Sequence, residues 1–109
     1  MVIHEMKLKE KYFNAIKAGL KTIEMRLYDD KRREISVGDI IEFTNMENKE
    51  KIRTQVLDLH IVNSFEELYN KFNKVSLGYE EHEIALYTDM EQFYLPTEME
   101  KVWSCWNRN

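Results

Sequence analysis

The sequence holds one cysteine, Cys105, one proline, Pro96, and three glycines among 109 residues. A lone cysteine leaves no intramolecular disulfide to form and no cysteine-based zinc site to build, which fits a reducing compartment. So little proline and glycine excludes a collagen-like or linker-like chain, and a hydrophobic share of 43% beside 33% charged residues is globular rather than disordered. Long apolar runs are missing too. Charges interrupt every window of the roughly 20 residues that cross a bilayer, and the opening Met1-Val2-Ile3-His4-Glu5-Met6-Lys7 has no apolar stretch of signal-peptide length. The expectation is a cytoplasmic protein without a membrane partner. The length suits one domain over residues 1–109, with no internal repeat or low-complexity tract.

Net positive charge is also lacking. A formal charge of −4 argues against a protein that coats nucleic acid indiscriminately, because neutralising phosphates drives that mode. The distribution is uneven. From Met1 to Arg33 nine Lys and Arg face five acids, a net of +4, while the remainder carries seven bases and fifteen acids, a net of −8. A basic third gathered on one surface makes a local phosphate site within an acidic protein; spread out, it is ordinary helix and turn surface.

What is present centres on Gly19-Leu20-Lys21-Thr22-Ile23-Glu24-Met25-Arg26. From Thr22 to Tyr28 the side chains alternate, Ile23, Met25 and Leu27 on one face and Thr22, Glu24, Arg26 and Tyr28 on the other, the pattern of a strand with one buried face. Residues two apart on a strand lie roughly 6.5–7 Å apart, so Glu24 and Arg26 project side by side. They either pair on a solvated surface, worth about 0–1 kcal/mol, or jointly grip a ligand. Lys21 shares the parity of Ile23, and a lysine is rarely buried unpaired, so it belongs before the strand or on a bulge.

Around this stretch, Val2 to Leu8 reads as a strand and Lys9 to Ala18 as a helix burying Tyr12, Phe13 and Ile16, with Gly19 as its left-handed cap. His4 is read as structural. Tyr28 to Glu34 is a charged connection whose Lys31-Arg32-Arg33 run is a phosphate patch or a solvated turn. Gly38-Asp39 is a tight turn before a strand from Ile40 to Phe43, and Ile52 to Val62 is a longer strand whose apolar phase changes, implying a bulge. Ser64 and Glu67 form a capping box opening a helix that buries Phe65, Leu68, Tyr69 and Phe72. Asn73 to Tyr79 reads as a loop, and Glu80 to about Tyr94 as an acidic helix stopped by Pro96 that buries Ile84, Tyr87, Met90 or Phe93. Val102 to Trp106 reads as a closing strand on which Trp103 and Trp106 have opposite parity, so at least one lies near the surface. Tyr28, Trp103 and Trp106 are either core residues or stacking platforms for a base.

The string Gly19-x-Lys21-x-x-Glu24-x-Arg26, followed by Val37-Gly38-Asp39-Ile40-Ile41-Glu42-Phe43, resembles the ASCH domain family, whose hallmark is GxKxxExR with a downstream Gly-Asp before a strand. The match is close over Lys7 to Phe43 and loose elsewhere. The resemblance implies an α+β fold: a small, mixed, mostly antiparallel PUA-like β-barrel of five or six strands with two to three flanking helices. It also implies RNA or a nucleotide-like small molecule as partner, held in a cleft beside Lys21, Glu24 and Arg26; separately, no cofactor and no metal is expected. Some small members of the family are amidohydrolases on an acetylated cytidine, in which a lysine activates a threonine and a downstream glutamate is the acid. Lys21 matches that lysine, but Glu24 stands three positions on, in the threonine's place, and a carboxylate attacking there would give a mixed anhydride. Thr22 is near with the wrong parity, and Glu80, Glu81 and Glu83 are equivalent candidates for the acid. The alternatives are therefore an enzyme, amidohydrolase on acylated nucleosides or RNA-cleaving, with Lys21 and Glu24 as base and acid, or a purely structural ion network of Lys21, Glu24 and Arg26.

Overall fold

A computed structural model describes residues 2–94 and 101–108, and the Pro96 helix stop lies outside them. In chain order the elements are β1 (Ile3–Leu8), α1 (Glu10–Lys17), β2 (Ile23–Leu27), α2 (Asp30–Arg33), β3 (Ile40–Asn45), β4 (Lys51–Val62), α3 (Phe65–Lys71), α4 (Lys74–Leu77), a 3-10 helix (Tyr87–Gln92) and β5 (Val102–Arg108). The strands form one sheet in the order β1-β3-β4-β5-β2. Only β1 and β3 run parallel; β3 with β4, β4 with β5 and β5 with β2 are antiparallel. The fold is thus α+β with a mixed, mostly antiparallel, five-stranded sheet.

The sheet curls into a half-barrel. Its two edge strands, β1 and β2, stand at opposite ends of the strand order, yet Nη2 of Arg26 on β2 donates to the Lys7 carbonyl oxygen on β1 at 2.9 Å. A side chain bridges the seam that a closed barrel would fill with a backbone ladder. The expected closing strand, β5, lies between β4 and β2 and closes nothing.

Two cores follow from this curl. The concave face gathers Met6, Leu8, Ile41, Phe43, Val56, Trp103 and Cys105, sealed by Phe13 and Ile16 of α1. The convex face of β2 and β5 presents Ile23, Met25 and Val102 to Phe65 and Leu68 of α3, Leu77 of α4 and Met90 of the 3-10 helix. In β1 the alternation exposes Ile3, Glu5 and Lys7 and buries His4, Met6 and Leu8. His4 is structural here: its Nε2 lies 2.8 Å from Oδ2 of Asp39, which also accepts from the Ser36 backbone N–H at 3.0 Å. The Gly-Asp turn, with Gly38 at φ 95°, is thereby tied to β1. The phase change in β4 is a bulge between Val56 and Asp58.

Three expectations are corrected. The charged connection after Tyr28 contains α2, capped by Asp29 accepting from the Arg32 N–H, and its basic run divides: Arg32 is buried against Asp29 while Arg33 pairs with Asp30. The stretch Asn73 to Tyr79 holds α4, capped by Asn73 and ended by Gly78 at φ 114°. The acidic helix from Glu80 does not form. Nζ of Lys74 takes the carbonyl oxygens of Glu81 and Glu83, oxygens an α-helix would give to N–H groups four residues on, and only the 3-10 helix follows. Ile84 is accordingly 80% exposed, and Met90 alone of the four expected core residues is buried.

Candidate functional site: the recess at the seam

The end of α1 delivers the motif. Gly19, at φ 79°, reverses the chain, and the carbonyl of Ala15 accepts the N–H groups of both Leu20 and Lys21, at 3.0 and 3.1 Å. Thr22 is then clamped on both sides, its N–H on the Ser76 carbonyl and its own carbonyl accepting from the Asn107 N–H. Lys21 therefore precedes β2, and the backbone there is fixed before any side chain is considered.

β2 has two covered faces rather than one. Glu24 pairs in register with Cys105 and Arg26 with Trp103, both on the concave side, so the polar face of the motif points into the half-barrel. Ile23 and Met25 pack outward beneath the helices. Lys21 and Glu24 are both 4% exposed, and the Arg26 side chain retains 21% exposure.

The three heads form one row. Nζ of Lys21 donates to the carbonyl oxygens of Ile23 at 2.5 Å and Leu77 at 2.9 Å and lies 3.4 Å from Oε1 of Glu24. Three acceptors match the three N–H bonds of an ammonium group. Oε1 of Glu24 also accepts from the Met25 N–H, and Oε2 takes both Nε and Nη2 of Arg26, at 3.0 and 2.9 Å. Glu24 is thus saturated, and Arg26 is held as a planar fork against it. Gly78 makes room for the lysine: a Cβ there would meet Cδ of Lys21 at 3.1 Å and Cδ1 of Tyr12 at 3.2 Å.

Burial pushes the Lys21 ammonium below its ordinary range, against the pull of Glu24. Burial by itself would raise Glu24, but Lys21 and Arg26 beside it hold the carboxyl below the usual carboxylate range. Burial likewise lifts the Cys105 thiol to about 12.

Lys21, Glu24 and Arg26 line one recess of about 360 Å³, within the range of small-molecule sites. Its mouth carries Lys7 and Lys9, its apolar lining includes Tyr12, Met25, Leu77 and Met90, and its far wall is Tyr69, Tyr79 and Asp89. Phe93 and Tyr94 border it beyond the 3-10 helix, with Nζ of Lys9 5.2 Å above the Phe93 ring. Tyr69, Tyr79 and Asp89 had no signal in the sequence, because each looks like an ordinary helix or turn residue. Glu80, Glu81, Glu83 and Thr22 do not line the recess, and Glu83 instead pairs with Lys11 at 2.9 Å. Trp103 is buried in the core and Trp106 is 40% exposed, also outside the recess. Tyr28 packs partly buried against the concave core. Among the described residues no helix is long and apolar enough to cross a membrane.

The protein-family model of the ASCH domain matches residues 6–106. Among solved structures, the crystal structure of hypothetical protein PH0355 is 31% identical, with 98% of each chain covered and a TM-score of 0.82. The solution structure of protein PF0455 from Pyrococcus furiosus is 27% identical over 98% of this chain and 96% of that one, with a TM-score of 0.70. The crystal structure of ASCH from Zymomonas mobilis shares the fold at 15% identity, covering 98% of this chain and 67% of that one with a TM-score of 0.68. No curated protein matches.

Proposed function

The chain belongs to the ASCH domain family, and from that premise we propose that the recess binds an RNA segment or a nucleotide-like small molecule, gripped through Arg26. Membership supports RNA or nucleotide interaction in general terms. The observation that carries the reading is the unequal exposure of the motif: Lys21 and Glu24 are buried and mutually saturated, whereas the Arg26 guanidinium, aligned by Glu24, reaches the recess. An arginine so held loses little freedom when it pairs with a phosphate or a base edge. Lys7 and Lys9 at the mouth add positive potential, and the aromatic lining offers faces for a base. Lys21 and Glu24 act in this reading as the support that orients the fork.

The same saturation weighs against Lys21 as a general base. Its Nζ already serves two carbonyls and a carboxylate, so a free lone pair would require breaking that cage. Titration with short RNA oligomers and with nucleosides is the test. Arg26→Ala should weaken binding by tenfold or more, since a charge-assisted hydrogen bond is worth about 1.5–3 kcal/mol. Unchanged affinity in that variant would remove the recess from consideration.

A further inference from the structure

The far wall of the recess is held in one hydrogen-bonding state. Oη of Tyr79 lies 2.7 Å from Oδ2 of Asp89 and 2.7 Å from Oη of Tyr69. A carboxylate only accepts, so Tyr79 spends its proton on Asp89, and Tyr69 must then donate to Tyr79. Burial lifts the Tyr69 phenol to about 12 against the lowering effect of its bond to Tyr79, and burial together with the bonds to Tyr69 and Asp89 raises the Tyr79 phenol, so neither ionises near neutral pH. Asp89 is further fixed by accepting from the Leu86 N–H at 3.3 Å. With both phenolic protons committed inside the chain Tyr69, Tyr79, Asp89, the lone pairs of the Tyr69 oxygen and the Asp89 carboxylate remain. This wall accepts hydrogen bonds and donates none. Arg26, also on the lining of the recess, can only donate.

Building on the nucleotide-binding reading, we propose that Asp89, aligned by Tyr79 and Tyr69, is the specificity determinant of the recess and selects a heterocycle that carries an exocyclic amino group over its keto counterpart. A keto oxygen facing Asp89 would set acceptor against acceptor at a half-buried carboxylate, which a polar site rejects more strongly than a loss of apolar contact. The ligand therefore presents acceptors or an anionic group to Arg26 and an N–H donor to Asp89.

The test compares ligands differing only in that group, adenosine against inosine monophosphate and cytidine against uridine monophosphate, with short oligo(A) and oligo(I) in parallel, by calorimetric titration. Wild type should prefer the amino member by about tenfold or more. Asp89→Asn keeps the shape but can turn an N–H toward a keto oxygen, so the preference should vanish or reverse. Tyr69→Phe, which removes one acceptor and leaves the carboxylate, should reduce the preference without reversing it. A purely structural role for Asp89 would lower affinity for both members alike and leave their ratio unchanged. Equal affinity for amino and keto members, with binding still lost in Arg26→Ala, overturns the selection and leaves the nucleotide reading standing. Failure of every mononucleotide and oligomer to bind overturns both.

Discussion

Replacing Glu24 by Gln should strip the motif of the charge that holds its two cations. Oε1 now accepts from the Met25 N–H and faces Nζ of Lys21 at 3.4 Å, while Oε2 accepts from Nε and Nη2 of Arg26. A glutamine has one oxygen for these two sides. With the oxygen toward Arg26, the amide N–H groups confront the Lys21 ammonium and the Met25 N–H; reversed, they confront two guanidinium donors. Either rotamer opposes donors in a site where Glu24 is 4% exposed and water gives little relief. Removing one member of a buried ion pair costs about 3–5 kcal/mol, and at about 4–8 °C per kcal/mol for a chain near this length, Tm should fall by roughly 12 °C or more. Urea unfolding with a common m-value measures the loss directly. Adding Lys21→Met removes the stranded ammonium, so the double variant should be about 1–3 kcal/mol more stable than the sum of the single losses. The effect must also depend on pH. Because the folded carboxyl titrates below its ordinary 4.5, its stabilisation is complete above that value and is lost as pH falls through the folded pKa. Glutamine does not titrate, so the gap between wild type and variant should narrow below about pH 4.5. A loss under about 1 kcal/mol at neutral pH, or a gap that ignores acid, would refute the argument.

Gly78→Ala should cost more than Gly38→Ala in denaturant midpoint, although both glycines have positive φ, because a Cβ at 78 meets Lys21 and Tyr12 whereas at 38 nothing lies within 4 Å. The shared conformational penalty is roughly 1–3 kcal/mol, and equal losses at the two positions would remove the steric claim. Cys105, fully buried with its thiol lifted to about 12, should resist a disulfide reagent at pH 8 in the folded protein and react promptly in denaturant; rapid labelling of the native chain would contradict the burial.

The alternation of β1, the bulge in β4 and the Ser64 cap were legible because each is a local matter of period or of one side chain bonding a nearby backbone group. Ser64 Oγ indeed accepts from the Glu67 N–H, and Glu67 reaches back to the Asn63 N–H. The motif row was legible as residues and illegible as geometry. Alternation in β2 distinguishes two faces but does not tell which is wet, and here the charged face lies inside because Glu24 pairs with both Lys21 and Arg26. The segment after Gly78 was misread because its apolar spacing fits a helix, while Lys74, just before it, and Lys11, distant in sequence, claim the carbonyl and carboxylate groups of Glu83. The far wall was invisible for a related reason: Tyr69, Tyr79 and Asp89 become one hydrogen-bonded unit only when α3 and the 3-10 helix pack together.

Why a charged row can point inward at this one strand follows from the sheet order. Every interior strand has a neighbour on both sides, but β2 is an edge, and the barrel would have to gain a β1–β2 ladder to hide its free groups. Arg26 substitutes for that ladder through its bond to the Lys7 carbonyl, and Glu24 makes the substitution tolerable by neutralising the guanidinium. A side chain leaves more space than a strand would, and the space it leaves is the recess. Closing the seam and, in the proposed reading, meeting a ligand thus fall to the same guanidinium. Filling the recess with a bulkier side chain would not be equivalent to losing it, because enlargement beside Arg26 would press on the bond that joins β1 to β2. Stability and binding are therefore expected to change together at Arg26 and separately at Asp89, which lines the recess but does not touch the seam.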